Sequence, residues 1–229
     1  MEPSPGPHPE TRNGPRGALI GATGLVGRQL LQALLADPRL GELATIARRP
    51  IENQEHPAWT QMMIEDFGQI SSLKLPPDLD FAISCLGSTL KQAGSRENFR
   101  RIDFDYNLAF AKLARASGVK HYILLSAAGV SADSRIFYNK VKGELEDAVA
   151  ALDFPALTIV RPGLLMGERT ENRPMEKLFI RVTNWLTGVV GSSRLKAFAT
   201  PVPELVTCLK ANAFANVDHD VHIINPSEI

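Results

Sequence analysis

From residue 16 onward the chain alternates between two patterns. Short, continuous apolar runs fall at 17–20, 43–47, 60–64, 79–85, 120–125, 157–160 and 221–224. Runs of that length, bounded by turn residues, predict strands buried on both faces. Between them lie segments whose apolar residues recur every three or four positions, at 25–36, 96–117, 136–152, 174–188 and 203–215, and these predict helices. Asp37-Pro38 and Gly118 close the first two. The alternation predicts an α/β fold: a doubly wound parallel sheet of the Rossmann kind, with helices on both faces and right-handed crossovers. A small C-terminal substrate lobe is expected over about 163–220, within one domain spanning 16–229.

Residues 1–15 break the pattern. They hold five of the sixteen prolines and almost no apolar side chains. Such a segment buries too little surface to offset its ordering entropy, so a disordered tail is expected there. Lys plus Arg equals Asp plus Glu, at 25 each. That balance argues against nucleic acid as a partner. No apolar run reaches the ~20 residues that span a bilayer, so no membrane role is expected. The N-terminus lacks a secretory pattern, and two cysteines, Cys85 and Cys208, have no companions at metal-ligand spacing. The expectations are a cytoplasmic protein, buried thiols and no metal.

Gly21, Gly24 and Gly27 stand between the first strand and the first helix. Glycines there allow a tight turn, close approach of backbone to a pyrophosphate, and packing of helix on strand. The helix N-terminus then offers free N–H groups and a partial positive charge, to which Thr23 adds a hydroxyl. The spacing G-x-x-G-x-x-G predicts a bound dinucleotide. The second strand ends Ala47-Arg48-Arg49, without the carboxylate that bonds a ribose 2′-hydroxyl in NAD-binding units. Two guanidinium groups suit a 2′-phosphate, so NADP(H) is expected in preference to NAD(H).

A string of further motifs follows in order: Ser84-Cys85-Leu86-Gly87-Ser88-Thr89, Ile102-Asp103-Phe104-Asp105-Tyr106, Leu124-Leu125-Ser126, Tyr138 with Lys142-Gly143-Glu144, and Arg161-Pro162-Gly163-Leu164-Leu165. Over roughly residues 17–210 the chain resembles the Tat-interacting-protein (HTATIP-like) branch of the atypical short-chain dehydrogenases/reductases. The resemblance implies a Rossmann fold holding NADP(H). It implies that Gly21, Thr23, Gly24, Leu25, Val26 and Gly27 line the pyrophosphate, Arg48 and Arg49 the adenosine phosphate, and Asp66 with Phe67 the adenine. It further implies that Cys85, Leu86 and Gly87 run towards the nicotinamide, and that Pro162, Gly163 and Leu164 close over it.

Tyr138 and Lys142, at i and i+4, share one helix face. In short-chain dehydrogenases such a tyrosine is the general acid or base for a carbonyl/alcohol pair, and the lysine holds the nicotinamide ribose. The resemblance makes Ser126, Tyr138 and Lys142 the catalytic set. Ser126 is followed by Ala127 where a second serine is common, and Ser131 and Ser134 are loop alternatives. Asp103 stands where many extended members carry asparagine, and no proton relay is assigned to it.

Glu168, Arg169 and Arg173 lie where the lobe begins and read as solvated charges or as contacts to a polar substrate. Phe179, Ile180, Trp185 and Leu186 form lobe core or the face of a homodimer. Two functions stay open: an oxidoreductase acting on a small carbonyl/alcohol substrate, and a slow or non-catalytic NADP(H)-responsive regulatory or binding protein. The Tyr138/Lys142 pair favours the first; the missing second serine and the short lobe favour the second. An epimerase with tightly held cofactor is a third reading, disfavoured by the small lobe.

Overall fold

The computed structural model describes residues 14–52, 55–166, 199–217 and 221–229. Almost all of the expected tail, the helix at 174–188, Glu168, Arg169, Arg173 and the Phe179–Leu186 apolar set lie outside the described residues, as does most of the expected lobe.

The elements run β1 (Arg16–Ile20), α1 (Leu25–Leu35), β2 (Glu42–Ala47), β3 (Trp59–Met63), a 3-10 turn (Phe67–Ser72), β4 (Phe81–Ser84), α2 (Leu90–Ala93) and α3 (Arg96–Arg100). A π-helical turn (Arg101–Asp105) leads into α4 (Tyr106–Ala116), followed by β5 (His121–Leu125), α5 (Phe137–Ala150), β6 (Ala156–Val160), β7 (Leu164–Met166), β8 (Ala199–Pro201), α6 (Val202–Ala213) and β9 (Val221–Ile224). One sheet has the order β3-β2-β1-β4-β5-β6-β9, with every pair parallel. The fold is the doubly wound parallel sheet the apolar pattern predicts. Its strand order reverses between β1 and β4, the switch point beyond whose carboxyl ends open α/β sheets bind ligands.

Alternation along the strands divides the core. Ala18, Ile20, Ala82, Tyr122 and Leu124 face α4 and α5, meeting Phe110, Ala114, Leu145 and Val149. Leu19, Leu43, Ile83, Ile123 and Val160 face α1 and α6, meeting Leu30, Leu34, Leu205 and Leu209. Gly17 is needed inside β1, because a Cβ there would stand 2.1 Å from the Phe81 ring. His121 is buried, its Nε2 2.8 Å from Thr158 Oγ1 across the β5–β6 pair. Among the described residues no helix is long and apolar enough to cross a membrane.

The predicted helix at 96–117 is instead three pieces. Around Asp103 the backbone widens into a π turn, with the Tyr106 N–H donating to the Arg101 carbonyl. A π turn inserts one extra residue and so rotates everything after it. The short pair β7–β8 also went unpredicted, since three-residue strands carry little periodicity.

Candidate cofactor and catalytic site

The glycine loop leaves β1 at the sheet's switch point. Gly21 has φ of +84°, a left-handed conformation that favours glycine. A Cβ on it would lie 2.5 Å from the backbone of Cys85 and Leu86, so the loops after β1 and β4 touch there. A Cβ on Gly27 would lie 2.2 Å from the Gly21 carbonyl oxygen, which explains the third glycine. Gly24 caps α1 in extended conformation. No side chain bonds the first turn, and no acidic residue lies in it. A Cβ on Gly24 would meet only the Gly21 carbonyl, at 3.3 Å, so its outer side is open. Uncapped N–H groups on a helix N-terminus, reached without side chains, fit a pyrophosphate. Thr23 is exposed, Leu25 half-buried and Val26 buried into the core.

Arg48 and Arg49 are exposed directly after β2. The Arg48 guanidinium lies 5.0 Å from the Phe67 ring centroid, a cation–π contact that presents it beside the loop after β3. Asp66 caps the 3-10 turn, accepting from the Gly68 N–H at 2.7 Å and from the Tyr106 hydroxyl at 3.2 Å. The Gly68 N–H, then the Tyr106 hydroxyl and the charges of Arg101 and Arg48, hold its carboxyl below the ordinary range against partial desolvation. Arg48, Asp66 and Phe67 thus lie together after β2 and β3.

The loop after β4 touches the glycine loop at Cys85–Leu86 and the π turn and α5 at Gly87. Cys85 and Cys208 are half-buried rather than the buried thiols expected, and desolvation pushes the Cys85 thiol up to about 12. Asn107 holds the Leu86 carbonyl at 3.2 Å and accepts from Ser84 Oγ at 2.5 Å. Gly87 is exposed and faces the π turn and α5: a Cβ there would lie 3.2 Å from Asp103 Oδ1 and 3.6 Å from Lys142 Nζ.

Lys142 is 5% exposed, and its Nζ lies 3.1 Å from Asp103 Oδ1. Burial by itself would lower this ammonium. The charges of Tyr138, Asp103 and Glu146, with the Asp103 contact, outweigh it and hold the group above the ordinary lysine value. Tyr138 packs its ring 5.4 Å from Phe99, with Lys142 Nζ 6.0 Å from its centroid. Gly143 lets α5 press onto the preceding loop, since a Cβ there would stand 2.2 Å from the Ser131 backbone.

Ser126 lies apart from this pair in its bonding. It follows β5 and is buried, and its hydroxyl donates to Glu146 Oε1. Glu146, 4% exposed, is also gripped by Arg161 through Nε at 3.1 Å and a terminal nitrogen at 2.5 Å. Ser131 and Ser134 serve local turns, accepting from the N–H groups of Asp133 and Ile136. After β6, Pro162 is buried, the Gly163 N–H donates to Thr200 Oγ1 at 2.9 Å, and Leu164 enters β7. Sequence reasoning missed Ser88, Glu146 and Arg161, and assigned nothing to Asp103. One signal was available: Tyr138, Lys142 and Glu146 form an i, i+4, i+8 row, so the helix face that carries the first two carries the third.

Fold and crevice together define an NAD(P)-binding Rossmann protein of the short-chain-dehydrogenase type. The profile of the NAD dependent epimerase/dehydratase family matches residues 18–148, and the chain belongs to that family. It is 38% identical over 179 residues to Protein fmp52, mitochondrial, of Emericella nidulans, covering 76% of this chain and 75% of that one. It is 34% identical over 181 residues to FMP52-1 of Scheffersomyces stipitis, also named mitochondrial, covering 74% and 76%. Among solved structures, Bordetella bronchiseptica WbmH in complex with NAD+ gives a TM-score of 0.67 at 15% identity, over 92% of this chain and 75% of that one. Bacillus anthracis dTDP-4-dehydrorhamnose reductase in complex with NADP gives 0.62 at 17%, over 93% and 75%. At these identities the structural likeness concerns the fold.

The relatives overturn one expectation. A cytoplasmic protein was expected, yet these relatives are named mitochondrial. The features behind that expectation, unpaired cysteines and no secretory pattern, do not separate a cytosolic from a mitochondrial protein. The named relatives are Fmp52 proteins rather than the Tat-interacting-protein branch.

Proposed function

We propose that this chain is an NADP(H)-dependent oxidoreductase acting on a small carbonyl/alcohol substrate, located in mitochondria like its relatives and close to the Tat-interacting-protein branch within its family. The observation that carries the reading is the buried Lys142 ammonium, one helical turn from Tyr138 and against the exposed Gly87 loop that runs on from the glycine cradle. Burying a charge there costs several kcal/mol unless it is paired. Here Asp103 is that partner, and buried ion pairs with a specific charge partner gather at functional sites.

The glycine cradle and α1 hold the pyrophosphate. Arg48, stacked on Phe67, and Arg49 receive the 2′-phosphate, and Asp66 meets the adenine. Bound NADPH supplies a hydride. Lys142 orients the ribose and places positive charge beside Tyr138, whose hydroxyl gives its proton to the carbonyl oxygen. Ser126, the third member implied by the resemblance, needs its hydroxyl released from Glu146 to reach a substrate oxygen.

That bond also favours the second reading, a slow NADP(H)-responsive binding protein, because a serine committed to Glu146 leaves the substrate oxygen with one fewer donor. Titration calorimetry with NADPH and NADH, then NADPH oxidation across aldehydes and ketones, separates the readings. Tighter NADPH binding plus turnover abolished by Tyr138→Phe supports the enzyme. Binding without turnover of any carbonyl supports the second reading, and equal affinity for NADH removes the NADP(H) assignment. Fractionation of cells expressing the full chain tests the location.

A further inference from the structure

The loop after β4 touches the glycine loop at Leu86 and faces α5 at Gly87. A buried side chain that the proposed reaction does not use holds its backbone. Asn107, in the first turn of α4, is 1% exposed. Its Nδ2 donates to the Leu86 carbonyl at 3.2 Å and to the Ile102 carbonyl at 3.0 Å. Its Oδ1 accepts from the Ser84 hydroxyl, at the end of β4, at 2.5 Å.

We propose that Asn107 is a positioning residue for the dinucleotide, fixing the Leu86–Gly87 backbone between the glycine loop and Lys142. The inference rests on the reading of this site as a dinucleotide site, but the contacts that carry it belong to this chain's own atoms.

Three observations carry it. The first is chemical. A side-chain amide offers two N–H donors and one oxygen. Here both donors meet carbonyls and the oxygen meets a hydroxyl. Turned over, the amide would set its oxygen against two carbonyl oxygens, so its orientation is fixed. Ionised aspartate has the same shape and no donor, and threonine has a single donor.

The second is the pattern of α4. Its buried face reads Tyr106, Asn107, Phe110, Ala111 and Ala114, and packing alone does not account for the asparagine. A buried amide is tolerated only when bonded, and an apolar side chain would fill the space without that demand. A break in the apolar pattern at a buried position marks a site with another task. The π turn aims it: each residue turns a helix by about 100°, so without the extra residue position 107 would face elsewhere.

The third is what the amide joins. A Cβ on Gly21 would stand 2.5 Å from the Leu86 nitrogen, so Leu86 abuts the loop expected to hold the pyrophosphate. A Cβ on Gly87, the next residue, would stand 3.6 Å from Lys142 Nζ, where the nicotinamide ribose is expected. The Ile102 carbonyl belongs to the π turn that precedes α4. A displacement of Leu86 is therefore passed to the pyrophosphate and the ribose together.

The test is Asn107→Leu combined with Ser84→Ala, which removes the clamp, keeps the volume close and leaves no serine hydroxyl unpaired. Amide exchange is followed by NMR in the free, full-length protein. The Ser88 N–H, which donates to Asp103 Oδ2 at 2.9 Å, reports on the loop, and the amides of β2 report on the fold. Exchange at Ser88 should rise about tenfold or more while the β2 amides keep their protection. In titration calorimetry NADPH and NADH should both bind about tenfold more weakly, with their affinity ratio kept within about twofold, because the 2′-phosphate is assigned to Arg48 and Arg49. Ser84→Ala alone keeps both amide donors, so a smaller loss of the same kind is expected, and it stands in if the double variant unfolds. Unchanged Ser88 exchange in a folded variant overturns the proposal. So does unchanged dinucleotide affinity, or a loss confined to one of the two dinucleotides. If the wild-type protein binds neither dinucleotide, the cofactor reading fails, and exchange at Ser88 still decides whether Asn107 holds the loop.

Discussion

At the scale of single residues, two kinds of constraint operate in this crevice. Glycines 21 and 27 are fixed by contact. Gly27→Ala places a Cβ 2.2 Å from a backbone carbonyl, which only movement of α1 can relieve. We expect a loss of about 2 kcal/mol in denaturant unfolding, with NADPH binding weakened as the first turn shifts. Gly24→Ala, with only a 3.3 Å neighbour, should cost far less stability while still narrowing the open side of the cradle. The second constraint is charge. Glu146 is buried and holds both Ser126 and Arg161, and Glu146→Ala leaves a guanidinium without its partner. Complete burial of such a pair would put the loss near 3 kcal/mol or above; with Arg161 26% exposed, about 2 kcal/mol is expected by chemical denaturation. On the proposed NADP(H) reading, Arg48→Ala removes a charge-assisted contact to the 2′-phosphate, and the ratio of NADPH to NADH affinity should fall by about tenfold or more in calorimetry.

At the scale of elements, the informative features lie where the local pattern and the tertiary arrangement part. The apolar period across 96–117 reads as one helix, yet the π turn shifts its phase and places Asp103 on the side of Lys142. Nothing in a single-chain period reports an inserted residue, because apolar residues still recur every three or four positions. The α1–β2 turn gives a second example. Asp37 accepts from Arg39 Nε and a terminal nitrogen, both at 2.9 Å, and lies 3.4 Å from Lys210 Nζ on α6. Arg39 above all, with Lys210, holds its carboxyl well below the usual range. A depressed carboxylate stabilises the fold above its unfolded-state pKa of ~3.9, and the contribution is lost as pH falls towards the folded value. The stability difference between wild type and Asp37→Asn should therefore be constant from neutral pH to about 5 and shrink below about 4. A difference that grew with acid would contradict this pairing.

At the scale of the whole molecule, the parallel order β3-β2-β1-β4-β5-β6-β9 gathers the loops that follow β1 to β6 at the carboxyl end of the sheet. A ligand bound there touches both halves of the sheet, so binding should be read as global stability. At 100 times its dissociation constant, NADPH adds about 2.7 kcal/mol, which for a chain of this size raises Tm by about 5–10 °C. NADH at the same concentration should raise it by less. The same stabilisation by both would argue against the arginines after β2 as phosphate receptors.

Much of this was legible in the amino-acid order. Strands, helices and the glycine loop follow from short-range rules: burial on both faces demands continuous apolar runs, and a left-handed turn at Gly21 demands glycine. Tyr138 and Lys142 were readable because four residues bring two side chains to one helix face. Those rules act within a few residues, so sequence alone determined the fold class, put Gly21, Gly24 and Gly27 in one turn, and put Tyr138 and Lys142 on one helix face. The tertiary structure decided the partners. Lys142 meets a carboxylate 39 positions earlier, and Ser126 meets one 20 positions later. Such pairings depend on the order of strands and on a one-residue phase shift in a helix. Both are set by how the whole chain packs, and no local pattern records them.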